Sequence, residues 1–425
     1  MTLWGSQEPL CRRVRSCPSW PSHRLFLMLH MTVRRTHRTG VQLSLLGAAG
    51  IHGSSAGIGH TVRVDRGSAI SLFSGAGGLD LGVEAAGFRT LAAVEWDQDA
   101  ADTMEKNAPA YFPALREVLR ADLYPLATGH GGGATTKDLL RAAGLGPRER
   151  PDLLIGGPPC VAFSKSGFWL QWKRDGVDPA ASLLQAYTRV LAEARPRFFL
   201  LENVYALTFN NKASRPAFER LLREISDAGY RLRWRVLNAA DYGVPQLRPR
   251  LFILGSRGRD PIPELPEPTH HGLWERRKTA GGPLAHVTAG EALEGLVTEP
   301  EAEEVVRGSW GHLLPEIPPG GNYLHFTAER GHPEPVFKWR ERYWSFLLKL
   351  DPNRPSPTIQ AQPGPNVGPF HWENRRLRVP ELRRLFTFPD SFGFVGRRAS
   401  VQAQIGNSVP PLLAERVAEA LAARL

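Results

Sequence analysis

Cysteine is scarce in this chain of 425 residues: Cys11 and Cys17 lie near its start and Cys160 far from both. A disulfide framework for the main body is excluded, because Cys160 has no partner beyond the first 66 residues, and so is a four-cysteine zinc site. No metal is expected, and a reducing, cytoplasmic setting suits such a chain. Long apolar runs are missing as well. None approaches the roughly 20 residues that span a bilayer, so no membrane partner is expected. No internal repeat is visible, which sets aside solenoids and propellers. Acidic residues are in deficit, 42 against 53 basic, for a net charge of +11. Nine arginines against two acids in residues 1–66 supply most of that excess, so net charge alone argues little for a polyanionic partner of the main body.

Residues 1–66, with "CRRVRSCPSWPSHR" and "GSSAGIGH", are rich in Arg, Ser and Gly without sustained periodicity, and read as a disordered basic leader. A start assigned too far upstream is the alternative, with Met28, Met31 or a residue near Val62 as the true beginning. A signal or transit peptide around "VQLSLLGAAG" would send a body with one cysteine to a compartment its chemistry does not suit.

From Ala69 the texture changes. "AISLFSG", "TLAAVEWD", "DLLIGGPP", "RFFLLENV", "YRLRWRVLNAADYG" and "RLFILG" read as strands, and "LDLGVEAAG", "AADTMEKNA", "SLLQAYTRVLAEA" and "RPAFERLLREISDAG" as helices between them. The alternation predicts an α/β, doubly wound, mostly parallel sheet over residues 67–255, with ligands at the carboxyl ends of the strands. Residues 256–370 break the rhythm with many Pro and Gly, an acidic cluster from Glu291 to Glu304 and the aromatic, basic stretch "FKWRERYWSFLLKLDPNRPSPT". They predict a second, smaller, irregular domain whose acidic cluster faces solvent. Residues 371–425 return with a final amphipathic helix.

"SLFSGAGGLDLG" is a strand, a glycine turn and a helix start. Gly75 and Gly77 supply two positions of the dinucleotide fingerprint, but Asp80 stands where the third glycine belongs, and a merely structural turn reads equally simply. Downstream, Glu95 in "VEWDQDA" can accept ribose hydroxyls, Trp96 can stack on a purine and Asp122 in "RADLY" can bind an exocyclic amine. An adenosine pocket without a pyrophosphate cradle suits S-adenosylmethionine better than NAD. Each residue taken singly is as well explained as a solvated acid or a core tryptophan.

Cys160, in "LLIGGPPCVAFSKSG", is compatible with an inert buried thiol. Three stretches speak for chemistry instead. "LLENV" ends an apolar strand with Glu202, where a desolvated carboxyl can hold a proton at neutral pH. "PQLRPR" sets Gln246, Arg248 and Arg250 on alternate residues of one extended face, and "QIGNSVPP" holds Asn407 in a rigid turn.

The ordered set "FSGAGGLDLG", "VEWD", "GGPPCVAFSKSG", "LLENV", "PQLRPR" and "QIGNSVPP" resembles the cytosine carbon-5 DNA methyltransferases, bacterial restriction-modification style, across residues 69–425. The resemblance implies a Rossmann-like methyltransferase sheet with a smaller target-recognition domain at 256–370. It implies S-adenosylmethionine as methyl donor and double-stranded DNA as partner, with the target cytosine flipped out of the helix. Cys160 would be the nucleophile that adds to carbon 6. Glu202 would serve ring nitrogen 3, Arg250 would hold the carbonyl oxygen and Arg248 would orient. The donor would lie against Phe73, Gly75, Ala76 and Gly77, then Glu95, Trp96, Asp122 and Leu123, with Pro159, Leu183, Asn407 and Val409 completing the pocket. Ser164, Ser166, Gln246, Arg340, Arg342, Arg375 and Arg376 would meet DNA; for the arginines a structural basic face is an equal reading.

Val161 departs from the family's usual glutamine, and Ala180 and Ala181 stand near a position often held by Arg or Asn. A monomer is expected, as the modification arm beside a cognate endonuclease or as an orphan methylase. A tRNA cytosine methyltransferase is the nearest alternative, although that branch carries a Cys-Phe-Thr signature and no cysteine follows Cys160. A nucleotide-dependent oxidoreductase with a redox cysteine is more distant, since no second thiol lies near. A non-enzymatic DNA-binding relative would ordinarily lose Cys160 or Glu202.

Overall fold

The computed structural model describes residues 65–128, 133–159, 179–212, 214–272 and 284–423, which fall in one compact unit. Seven strands form its centre: Ser68–Leu72 (β1), Arg89–Glu95 (β2), Glu117–Arg120 (β3), Leu153–Gly156 (β4), Phe198–Val204 (β5), Tyr230–Asn238 (β6) and Pro249–Arg257 (β7). They lie in the order β3-β2-β1-β4-β5-β7-β6, and only β7 runs antiparallel to its neighbours. β1, β4 and most of β5 are apolar and buried on both faces, as parallel strands covered on two sides must be. Strand order reverses between β1 and β4, so the turns leaving these two strands flank the crevice where open α/β sheets bind ligands.

The first helix, Gly78–Ala85 (α1), packs with the last, Pro411–Ala422, on one face of the sheet through Val83, Phe88, Leu413, Val417 and Leu421. The opposite face is covered by Pro179–Ala194 and Ser214–Asp227, whose Tyr187, Val190, Leu191, Leu221 and Ile225 meet Ile70, Leu154, Phe199 and Ile253. Helix Gln98–Tyr111 starts where the Asp97 carboxylate accepts the Ala100 amide. It packs on two helices of the return segment, Val379–Leu385 and Arg398–Asn407, and the Thr103 hydroxyl donates to Gln404 at 2.7 Å.

β6 is an edge strand, and one of its faces carries three arginines that are tied down. Arg231, Arg233 and Arg235 reach across to the extended segment 260–267, binding the Asp260 carbonyl, the Glu264 carboxylate at 2.5 Å and the Glu267 carboxylate at 3.1 Å. Charged side chains that occupy a strand edge block its use as a pairing template.

Residues 286–376 hold one short helix, Ala289–Leu293, and a few 3-10 turns around a small core of Leu313, Leu314, Ile317, Tyr323, Phe326, Phe337, Phe346, Leu347 and Phe370. Lys349 is buried beside it and donates to the Ile317 carbonyl and the Asn374 side chain, both at 2.7 Å. Of the acidic cluster, Glu291, Glu294, Glu299 and Glu303 face solvent as expected, whereas Glu301 and Glu304 turn inward. Glu291 caps its helix with Thr288. Glu304 binds Arg378 at 2.5 Å, while Glu301 takes Arg398 at 3.0 Å and the Val379 amide at 2.7 Å. These acids neutralise the basic return segment instead of repelling a ligand.

Candidate active site

Phe73 and Gly75, in the turn after β1, both have left-handed backbones, with φ of 55° at each. A side chain at Gly75 would point into open space, whereas one at Gly78 would lie 2.5 Å from the Val409 carbonyl. The turn is therefore open on one side and closed on the other by the segment that carries Asn407 and Val409, over 300 residues away in sequence. Asn407 is exposed and Val409 buried.

Glu95, at the end of β2, is tied to this turn. Its carboxylate accepts the Gly75 amide at 2.7 Å and the Asp97 amide at 2.8 Å. Burial pushes the Glu95 carboxyl above its ordinary range, and the Asp97 and Gly75 amides pull it back. Each carboxylate oxygen keeps a second lone pair, so the group can still accept hydroxyls. Next to it the Trp96 indole is 72% exposed, a free face for stacking. Asp122 is half-buried and accepts the Tyr124 amide at 2.8 Å, while Leu123 and Ala76 belong to the interior. Leu183 is half-buried and Pro159 exposed.

The turn after β4 meets the end of β5. Gly157 lies where a side chain would come within 3.0 Å of the Glu202 carboxylate, and the Asn203 amide donates to the Pro158 carbonyl at 3.0 Å. Arg250, in β7, pairs with Glu202 at 3.1 Å. The register sets Val204 opposite Arg250 and Glu202 opposite Phe252, so acid and base meet on the diagonal of an antiparallel pair. Burial pushes the Glu202 carboxyl up, against the charges of Arg250 and Arg248. Desolvation outweighs the two charges, so the protonated form is favoured more than in a free glutamate.

Arg248 stands differently from Arg250. It is fully buried, and its guanidinium donates to the carbonyls of Ile359 (3.2 Å), Gly406 (2.5 Å) and Ser408 (3.1 Å) over the Phe386 ring. It bolts β7 to the return segment and acts on Glu202 through its charge alone. Gln246, expected at DNA, is wholly buried; it accepts from Ile359 and Arg248 and donates to the Leu385 carbonyl, so it is removed from that surface. Arg375 is corrected likewise, whereas Arg376 stays half-buried at the surface. Arg375 spends its donors on Glu381 and Glu373, and Arg376 donates to the Pro365 carbonyl beside Phe370. Arg340 and Arg342 remain exposed, with Arg340 against Trp339 and Arg342 against Phe346. Cys160, Ser164 and Ser166 lie outside the described residues.

Two participants were not anticipated. Asn203 is one; a polar residue beside Glu202 at the end of an apolar strand was the available signal. Asp80 is the other, noticed only as a missing glycine. It is wholly buried, and neither its carboxyl oxygens nor the Ser71 hydroxyl has a hydrogen-bond partner among the described residues. Burial pushes the Asp80 carboxyl up to about 7.

Sheet order and site together define a Rossmann-like α/β methyltransferase. Comparison with known proteins narrows this. The family model for C-5 cytosine-specific DNA methylase matches residues 67–423. The type II methyltransferase M.SacI of Streptomyces achromogenes is 46% identical over 84% of this chain and 93% of its own length, and M1.HphI of Haemophilus parahaemolyticus 34% identical over 83% and 86%. Among solved structures, a prophage-encoded E. coli protein assigned as a DNA modification methyltransferase aligns with a TM-score of 0.56 at 25% identity, covering 84% of this chain and 99% of that one. The Dnmt2 methyltransferase of S. pombe shares the fold, with a TM-score of 0.52 at 16% identity, over 84% and 98%. The chain belongs to the C-5 cytosine-specific DNA methylase family and is a DNA cytosine-5 methyltransferase. Among the described residues no helix is long and apolar enough to cross a membrane.

Proposed function

We propose that the chain takes its methyl group from S-adenosylmethionine and delivers it to carbon 5 of a flipped-out cytosine in a specific duplex sequence, through a covalent Cys160 adduct. The observation that carries this reading is the approach of Glu202, paired with Arg250, and of Asn203 to Gly157 and Pro158, three and two residues before Cys160. The residues at the β1 and β2 ends fit the donor: the space over Gly75 is open, the Trp96 indole is free and the Glu95 carboxylate has spare lone pairs. When bound, the donor supplies an electrophilic methyl on a sulfonium. Glu95 then holds the ribose, Trp96 stacks on the adenine and Asp122 takes its amine, with Phe73, Ala76, Gly77, Leu123, Pro159, Leu183, Asn407 and Val409 around them.

The chain's own residues do the activation. The Cys160 thiolate adds to carbon 6 and makes carbon 5 nucleophilic. Glu202 gives a proton or hydrogen bond to ring nitrogen 3, and Arg250 holds the carbonyl oxygen, so the charge created by addition is absorbed at both ends of the amide system. Carbon 5, so activated, would take the methyl that the bound donor supplies, the donor departing as its neutral thioether. A base, for which solvent water suffices, takes the carbon-5 proton; the freed electron pair restores the 5,6 double bond and breaks the carbon 6–sulfur bond, returning Cys160 as thiolate. Residues 67–255 and 371–425 form the catalytic domain in this reading, and 256–370 reads DNA, with Tyr343 (70% exposed), Trp344 (60% exposed), Arg340 and Arg342 toward the bases and phosphates. The relatives named as type II methyltransferases support a modification role; in this reading the enzyme is monomeric and cytoplasmic and works beside a cognate endonuclease or as an orphan methylase.

Expression in a methylation-free host followed by bisulfite sequencing tests the reaction. Motif-specific 5-methylcytosine is expected, and Cys160→Ser should abolish it. Methylated tRNA with unmethylated DNA would overturn the reading. A duplex with 5-fluorocytosine at the target should trap an adduct whose peptide maps to Cys160, because fluorine cannot leave as the proton does.

A further inference from the structure

The end of the sheet remote from Glu202 carries a shallow hollow of about 510 Å³ lined by Arg150, Asp152, Arg195, Arg197, Arg257 and Asp260, with Pro151, Pro196 and Gly258 between them. Topology explains the gathering. Arg150 to Asp152 precede β4, Arg195 to Arg197 precede β5, and the antiparallel β7 ends at Arg257 and leads on to Asp260, so all three segments emerge at the amino ends of the parallel strands. The two carboxylates are already engaged. Asp152 accepts the Ser68 amide at 2.8 Å and its hydroxyl at 2.9 Å, and Asp260 holds Arg197 through two bonds of 3.1 and 3.2 Å.

The other cations are not. Arg195 and Arg257 have no ion pair or side-chain hydrogen bond among the described residues, and Arg150 donates only to the Pro147 and Glu149 carbonyls. Arg195 is held in a left-handed backbone, φ 53°, a conformation that costs a non-glycine residue energy and fixes where its side chain leaves the chain. Arg195 and Arg257 both line the hollow, and both lie near enough to the buried Tyr230 phenol beneath it to pull against the burial that pushes that phenol up. The lining has four guanidiniums and no aromatic face. It therefore suits a phosphate oxyanion, which planar N–H forks bind in pairs, and offers nothing on which a base could stack.

We propose that this hollow is a second phosphate-binding site, independent of the candidate active site, that grips the DNA backbone without reading sequence. From Arg197 to Glu202 the strand advances about 17 Å, at ~3.3 Å per residue. A straight duplex seated at the carboxyl end does not reach the hollow, which takes a second stretch of the same DNA. The enzyme then stays on long DNA while the active site is empty. A free polyphosphate offers the same oxyanions, and the two sources are separated by experiment.

Arg195→Asn, chosen because asparagine tolerates a left-handed backbone, is combined with Arg257→Gln in the full chain. Binding of a long random-sequence duplex is titrated against salt, binding of tripolyphosphate is measured by calorimetry, and methylation of a short duplex carrying the target site is assayed in parallel. The slope of log affinity against log salt is expected to fall by roughly 2, at ~0.9 for each phosphate that the variant no longer neutralises, with short-duplex methylation unchanged. Loss of tripolyphosphate binding with an unaltered slope would assign the site to a free anion. An unaltered slope and unaltered tripolyphosphate binding in a variant that melts like wild type would overturn the proposal. Should the double variant fail to fold, Arg150→Gln alone is expected to lower the slope by roughly 1. Wild-type protein that methylates no DNA would sink the reading of the reaction while leaving the slope measurement valid.

Discussion

At the carboxyl ends of β1, β2 and β5, functional side chains are fixed mainly by main-chain groups a few residues or one strand away: Gly75 and Asp97 amides on Glu95, the Pro158 carbonyl on Asn203. In residues 286–376 and the return segment, shape depends on charged side chains that meet across 70 to 100 residues, as Glu304 with Arg378 and Glu301 with Arg398. The first arrangement follows from the sheet, because hydrogen-bonded strands deliver their ends to one crevice whatever the loops do. The second is negotiated between loops and leaves their exposed aromatics free to vary.

Four changes would break or sharpen this contrast. Glu202→Gln keeps the shape but not the titratable proton, and methyl transfer should fall by about 10²–10⁴ with the fold intact, measured as kcat on duplex DNA. Unchanged kcat would show that the desolvated carboxyl is not used. Arg248→Met removes the bolt between the two regions and strands three buried carbonyls; a loss of about 3–5 kcal/mol in urea unfolding is expected.

Asp80→Asn tests the buried acid on the main-chain side. Folding raises this carboxyl to about 7, so between the unfolded value and 7 the native state holds a proton that the unfolded chain has released. Stability should therefore fall as pH rises toward 7, by about 1.4 kcal/mol per unit, and level off above it. The asparagine variant should melt with a flatter profile between pH 5 and 8, and parallel profiles would place the proton elsewhere. Glu301→Gln, on the ion-pair side, weakens the Arg398 contact and keeps an acceptor for the Val379 amide. A loss of about 1 kcal/mol is expected, together with a smaller difference between low-salt and high-salt melting than wild type shows.

The same contrast explains what could be read from sequence. β1, β4 and β5 were legible because burial on both faces leaves continuous apolar runs, and their terminal acids and glycines marked the crevice. β3 was not, since "EVLR" is short and half charged. The reversed direction of β7 is invisible to an apolar pattern, which records burial and not hydrogen-bond polarity. Gln246, Arg248 and Arg250 alternate along one extended stretch, yet two are sealed beneath the return segment and one reaches Glu202. What covers a face is decided by residues more than 100 positions away. The acidic cluster gave its charge to inspection but not its partners.

The arginines of β6 and the acids of segment 260–267 amount to a removable guard. Its contacts are exposed and partly ionic, so concentrated salt weakens them far more than it weakens the apolar sheet beneath. Once these contacts are screened, the charges that hinder pairing along a nine-residue edge strand are muted, and two copies of the enzyme can join edge to edge. Storage in high salt, chosen to keep a basic protein off nucleic acid, would then be the condition that makes it clump.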